Sequence, residues 1–203
     1  MKKDSIKLPE PSCQGKVPVE KAIGQRRTMR SFADKSLTLS QLSQILWAAQ
    51  GITDEKGFVR SAPSAGALYP IDIYAVVGDM AVNGLEAGVY HYDPKHHIIK
   101  NVSKGDKRKD VAQASLGQLW MAEAPAIFMI TAEYKRITGK YGERGIRYAL
   151  IEAGHIGQNI FLQSEAFGLG AGIVGAFHDK KVLISTGALR DHQPLILMPV
   201  GYR

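Results

Sequence analysis

Apolar positions along the chain fall into short runs separated by helical stripes. Leu42, Ile45, Leu46 and Ala49 recur at i, i+3, i+4 and i+7, the spacing of one helical face, and Gly51 closes the stretch. Just before it, Thr38-Leu39-Ser40-Gln41 has the form of a capping box: the Thr38 hydroxyl can cap the helix start while Gln41 reaches back. Ile71–Val77 and Ala126–Ala132 are rich in branched, aromatic and other apolar residues and predict strands, the second one buried and central. Residues 88–92 and 98–102 flank Asp93-Pro94 and predict a hairpin, and residues 195–200 predict a last strand. Helices are expected over about 19–25, about 109–121 and about 145–167. The last carries Ile146, Ala149, Leu150, Ala153, Ile160 and Phe167 on or near one face. Strands and helices that mix without strict βαβ alternation argue for an α+β fold.

The long helix contains Gly154 and Gly157, each of which costs about 1 kcal/mol against alanine. Such a cost suggests close packing against another helix or subunit, or else glycines tolerated in a helix held by its tertiary contacts. Residues 1–16 read as an extended N-terminal arm, and 17–203 as one domain with a sizeable core, in keeping with 45% hydrophobic content. Met1-Lys2-Lys3 is not followed by an apolar run, and no stretch is long and apolar enough to span a bilayer as a helix, so a cytoplasmic setting is expected. Cys13 is the only cysteine, which excludes an intramolecular disulfide or a Cys-rich metal site. The net charge of +7 is dispersed: 104–110 is interrupted by Asp106 and Asp110, and no aromatics interleave as a nucleic-acid platform requires. Attraction for anionic cofactors accounts for that charge better than nucleic acid does.

Two segments carry the candidate chemistry. Arg26-Arg27-Thr28-Met29-Arg30 places three guanidinium groups and a hydroxyl within five positions, a set suited to phosphate oxygens. Pro63-Ser64-Ala65-Gly66-Ala67-Leu68-Tyr69-Pro70 is a proline-bounded turn of small residues that lets backbone N–H groups approach a flat ligand. A planar molecule with a phosphate tail fits both, and FMN has that shape.

The order of these segments resembles the nitroreductase-like flavoprotein family, and its azoline dehydrogenase branch in particular. Also similar are the stretches 39–51 and 88–93, Glu152-Ala153-Gly154-His155-Ile156-Gly157-Gln158-Asn159, Gly168-Leu169-Gly170 and Pro199-Val200-Gly201-Tyr202. The resemblance implies a three-layer sandwich with a mainly antiparallel central sheet, and a homodimer with FMN at the subunit interface. It implies that Arg26, Arg27, Thr28 and Arg30 serve the phosphate and ribityl end, with Arg27 alternatively facing the subunit boundary. Pro63, Ser64, Ala65, Gly66 and Leu68 would reach the flavin from the partner subunit. Gln118, Gly175 and Ala176 would face the ring. Many relatives continue into a basic tail that grips the phosphate; here either Arg203 takes that role or the N-terminal arginines act alone. The Lys140-Tyr141 pair, expected in a loop between Gly139 and Gly142 before the long helix, is similar to one proposed to abstract a proton in the azoline dehydrogenase branch, although an exposed lysine beside a packing tyrosine is an equal reading. Tyr69 and Arg144 are weaker rim contacts.

Three other matches are weaker than they look. Gly170-Ala171-Gly172-Ile173-Val174-Gly175 matches the dinucleotide fingerprint, but the strand-then-helix order which that motif needs is reversed. Glu152 and His155 have the spacing of a di-iron motif that occurs once where two are needed, so a buried hydrogen-bonded pair is expected and no metal. There is no Gly-x-Ser-x-Gly elbow for acyl transfer. The expected activity is hydride transfer from NAD(P)H through FMN to a nitroaromatic or quinone. The alternatives are oxidation of thiazoline- or oxazoline-type peptide substrates, and a non-enzymatic flavin sensor or storage protein.

Overall fold

The computed structural model describes residues 5–203, so the Met1-Lys2-Lys3 start lies outside the described residues. Seven strands form one sheet in the order β1-β4-β3-β2-β5-β7-β6, and every strand pair in it is antiparallel. They are β1 (Ser5–Lys7), β2 (Ile71–Val77), β3 (Gly88–Asp93), β4 (Ile98–Lys104), β5 (Ala126–Ala132), β6 (Leu169–Ala171) and β7 (Gln193–Tyr202). The helices are α1 (Val19–Gln25), α2 (Leu39–Gln50), α3 (Arg108–Ala114), α4 (Lys135–Tyr141), α5 (Arg144–Ala166) and α6 (Asp179–Thr186).

Alternation along the central strands builds three layers. Ile71, Ile73, Ala75 and Val77 of β2 and Phe128 and Ile130 of β5 face one core, where α2 supplies Leu42, Ile45 and Leu46 and α5 supplies Ala149, Ala153, Ile156 and Ile160. Tyr74, Val76, Ile127 and Met129 face the opposite core, closed by Val111 of α3 and Val182 of α6. A sheet covered on both faces needs apolar residues at nearly every position, which is why β2 and β5 are near-continuous apolar runs. Both strands match the sequence expectation, as do the hairpin at Asp93-Pro94 and the α+β class.

The capping box forms as expected: Gln41 N–H donates to the Thr38 hydroxyl and the Thr38 N–H donates to Gln41 Oε1. Thr38→Ala removes a cap worth about 1 kcal/mol. A thermal melt of this variant is expected to fall by about 2–4 °C, the shift of a 200-residue domain for that loss.

Other expectations need correction. The helix foreseen over 109–121 stops at Ala114, because Leu116 and Gly117 take positive φ of 57° and 73° and the chain resumes as a 3-10 turn at Leu119–Glu123. Lys140 and Tyr141 are not in a loop; they end α4, which buried Ile137 anchors and Gly142 terminates. Leu150 does not face the core: it is 51% exposed, as Ile151 is at 50%, on the outer side of α5. A Cβ on Gly154 would meet open space, whereas one on Gly157 would stand 3.6 Å from Met198 Sδ. The arm is more than an extended cover, since Ser5–Lys7 joins the sheet edge and Leu8 is buried. Ser43 Oγ donates to Pro9 O at 2.6 Å, and Gln44 exchanges two hydrogen bonds with the Ser12 backbone. Among the described residues no helix is long and apolar enough to cross a membrane.

Candidate active site

The arginine segment follows α1 and docks on β6. Met29 N–H donates to Ala171 O at 2.9 Å and Thr28 bridges Ala171 in parallel. This approach is possible because Gly170 and Gly172 lack side chains: a Cβ on Gly170 would stand 2.7 Å from Met29 Cγ, and one on Gly172 would stand 2.8 Å from Met29 O. Arg26 lays its guanidinium 5.0 Å from the centre of the Phe161 ring on α5, while Arg27 turns back to Gly24 O and Arg26 O. Arg30 is exposed. Beyond β6 the backbone of Gly175 and Ala176 is exposed, and Gln118 Nε2 donates to Ala176 O at 3.3 Å. Arg203 also reaches this region, with its Cγ within 3.5 Å of the Cβ position of Gly170, but its guanidinium pairs with Glu165. Arg26, Arg27, Thr28, Arg30, Gln118, Gly175, Ala176 and Arg203 are therefore gathered around one strand. The glycine fingerprint is a decoy, as expected: Gly170 sits within β6 and α6 begins only at Asp179.

A second group forms around the proline-bounded turn. Gly66, Ala67 and Tyr69 all have positive φ, of 62°, 53° and 47°, which glycine adopts freely, while the strain at Ala67 and Tyr69 persists only where neighbours fix it. Tyr69 is held four ways. Its N–H donates to Ser64 Oγ, its carbonyl accepts from Arg136 Nη1, its hydroxyl accepts from the Arg60 N–H, and Arg60 stacks 4.2 Å over its ring. α4 then brings the candidate proton pair onto this turn. A Cβ on Gly66 would stand 2.7 Å from the Tyr141 hydroxyl and 3.0 Å from Lys140 Nζ. Tyr148 packs edge-on against Tyr141, 5.2 Å between ring centres. Arg144 is exposed at the start of α5, and no hydrogen bond ties it to the turn among the described residues.

Arg136, one helical turn before Lys140, fastens α4 to the sheet. It lies 2.7 Å from Asp72 Oδ2 and 2.6 Å from Glu133 Oε2. Burial alone would raise Asp72, but the His91 hydrogen bond and the Arg136 charge hold it below the usual carboxylate range. Buried His192 stands near the same acids, and burial keeps it below the ordinary histidine value. Asp72, Glu133 and His192 could each offer an atom to a cation, but Arg136 already supplies the positive charge there.

Sequence reasoning missed the environment of Glu152. This residue is 1% exposed and does not pair with His155, which is exposed one turn further on. Gln50 Nε2 donates to Glu152 Oε1 at 2.9 Å, and Arg60 in turn donates to Gln50 at 3.1 Å. Oε2 is buried without a hydrogen-bond partner among the described residues. Burial raises the carboxyl, offset in part by neighbouring Ser64, Gln50 and Arg60. A pocket of about 250 Å³ lies above it, lined by Pro63, Ser64, Ala65, Tyr148, Ile151 and His155. The two groups contact different stretches of α5: from Glu152 to Phe161 is about 13 Å along the helix axis.

The arrangement fits a flavin by its own chemistry. One group offers exposed cations and backbone around β6, and the other a turn of small residues beside the buried Glu152 carboxyl.

Residues 23–202 match the Nitroreductase family model, described as the nitroreductase family. Protein MJ1384 of Methanocaldococcus jannaschii, which carries a provisional nitroreductase name, is 40% identical over 198 residues, covering 98% of this chain and 97% of that one. A solved structure from Ralstonia eutropha with the same provisional name superposes with a TM-score of 0.85 at 28% identity, covering 98% of this chain and 90% of that one. The microcin B17-processing protein McbC of Escherichia coli is 28% identical over 156 residues, which is 75% of this chain but only 57% of McbC. Fold, order of segments and extent of the match converge on one statement: the chain belongs to the nitroreductase family.

Proposed function

We infer that the protein is an FMN-dependent oxidoreductase that removes hydride and proton from its substrate in concert, with Lys140 and Tyr141 handling the proton. The observation that carries this reading is the meeting of Lys140 Nζ and the Tyr141 hydroxyl at Gly66, in the turn that the family resemblance assigns to the flavin. When bound, FMN would supply the hydride acceptor, and the protein would contribute position and electrostatics. Arg26 and Arg30, with Thr28, would hold the phosphate, and the Gly175 and Ala176 backbone would face the ring. Thiazoline- or oxazoline-type rings suit this chemistry, because their aromatisation loses a hydride and a proton together. The processing role in the name of McbC supports a peptide-derived substrate of that class.

A second reading is reduction of nitroaromatics or quinones by NAD(P)H. It is supported by the exposure of Gly175 and Ala176 and by the provisional nitroreductase name of the relative from M. jannaschii. A flavin sensor or storage protein would bind the cofactor and turn over neither substrate. The homodimer belongs to the same proposal. Exposed Leu150 and Ile151 beside open Gly154 give α5 an apolar outer face suited to a second copy, in a cytoplasmic setting.

The visible spectrum of the purified protein tests the cofactor: FMN at about one per subunit is expected after denaturation. A colourless protein that cannot be reconstituted overturns the reading. Arg30→Ala should weaken FMN roughly tenfold or more, the loss of one charge-assisted bond, while riboflavin binding stays unchanged. Equal loss for both ligands would place Arg30 away from the phosphate.

A further inference from the structure

Glu152 has half a binding site. Its Oε1 is fixed by Gln50, which Arg60 fixes in turn, so the carboxyl plane is set before any ligand arrives. Its Oε2 is buried without a hydrogen bond of full geometry among the described residues, and the Ser64 side chain stands beside the carboxyl. Such a group persists where something supplies the missing partner. The pocket above it is walled by Pro63, Ser64 and Ala65, the same residues that the functional reading sets against the flavin.

We propose that Glu152 Oε2 accepts a hydrogen bond from a ring N–H of the flavin that the Pro63–Leu68 turn encloses, an assignment that rests on the FMN reading above. An oxidised isoalloxazine carries one ring N–H, which it keeps on reduction, while its other edge atoms are acceptors or carbon. A carboxylate with a free oxygen is matched to that donor and mismatched to the acceptors. Its negative charge also opposes the gain of electrons by the ring, so it holds the reduction potential down. Of the charged and titratable groups around the carboxyl, Arg60 faces it from below through Gln50, and His155 and Tyr148 line the pocket on its own helix. None of them closes the Oε2 position with a hydrogen bond.

The test is Glu152→Gln, which keeps the volume and the bond from Gln50. With its amide oxygen held by Gln50, the new NH2 faces the ring N–H, donor against donor. FMN affinity is expected to fall at least tenfold. The midpoint potential of bound flavin is expected to rise by a tenfold change in its two-electron equilibrium, about 30 mV. Should that variant fold poorly, the unaltered protein loaded with 15N-labelled FMN gives an independent reading. A ring N–H proton shifted downfield and protected from exchange is expected, and a free-flavin shift overturns the assignment. Unchanged affinity and potential in a folded Glu152→Gln variant also overturn it, leaving Glu152 a structural acid while the FMN reading stands. An unaltered protein that binds no FMN overturns both.

Discussion

Lys140→Ala is expected to abolish substrate oxidation, with kcat falling about 100- to 10,000-fold, while NAD(P)H-driven reduction of a nitroaromatic continues unchanged. The magnitude is that of a positioned acid–base group in the transition state. The asymmetry follows from the chemistry: an azoline must shed a proton as it gives up hydride, whereas a reduced nicotinamide gives up hydride alone. Lys140 is exposed, yet its Nζ lies against Gly66 and 5.3 Å from the centre of the Tyr141 ring, so it is held at the turn rather than extended into water. Tyr141→Phe should give a smaller loss in the same assay, because the phenyl ring retains the edge contact to Tyr148 and only the hydroxyl is removed. Both reactions are followed on one preparation, with FMN content measured before each. Equal loss of both activities would make Lys140 a structural residue. No loss in either would leave NAD(P)H-driven reduction as the function.

The central elements were legible because their signals are local. β2 and β5 lie under both helical layers, so each announces itself as an apolar run of matching length. α2 declares its own start through Thr38 and Gln41, three residues apart. The end of α3 is not legible, because Leu116 is an ordinary helix former and nothing near it in sequence reveals the left-handed backbone it adopts beside Gly117. Arg26 through Arg30 stood out as a cluster, but their docking on β6 depends on Gly170 and Gly172, some 140 positions away. The proton pair and the turn are also far apart in sequence, and no periodicity links Lys140 to Gly66. The partner of Glu152 is hidden from the sequence for the same reason. His155 is its neighbour along the helix, whereas Gln50, from α2, is its neighbour in space. Local pattern finds elements and dense motifs, while side chains that meet across layers are fixed only by the packed sheet and its covering helices.

Gly66→Ala is expected to separate folding from activity at the turn itself. Gly66 has φ of 62°, where a side chain costs about 1–2 kcal/mol. The melting temperature should fall by only about 2–4 °C for each kcal/mol lost. The new methyl would stand 2.7 Å from the Tyr141 hydroxyl and 3.0 Å from Lys140 Nζ, and these are the mobile ends of side chains rather than backbone. Those atoms can move aside at small energetic cost, so the protein should fold, and FMN content is measured alongside because Gly66 belongs to the proposed flavin turn. They are also the atoms assigned to the proton, and a displacement of about 1 Å in such groups is enough to cost about 100-fold in rate. Substrate oxidation is therefore expected to fall about 100-fold in a variant that melts nearly as the unaltered protein does. Differential scanning calorimetry and the oxidation assay on the same sample read the two effects. Full activity in a folded Gly66→Ala protein would show that Lys140 and Tyr141 do not work from the positions they hold against the turn.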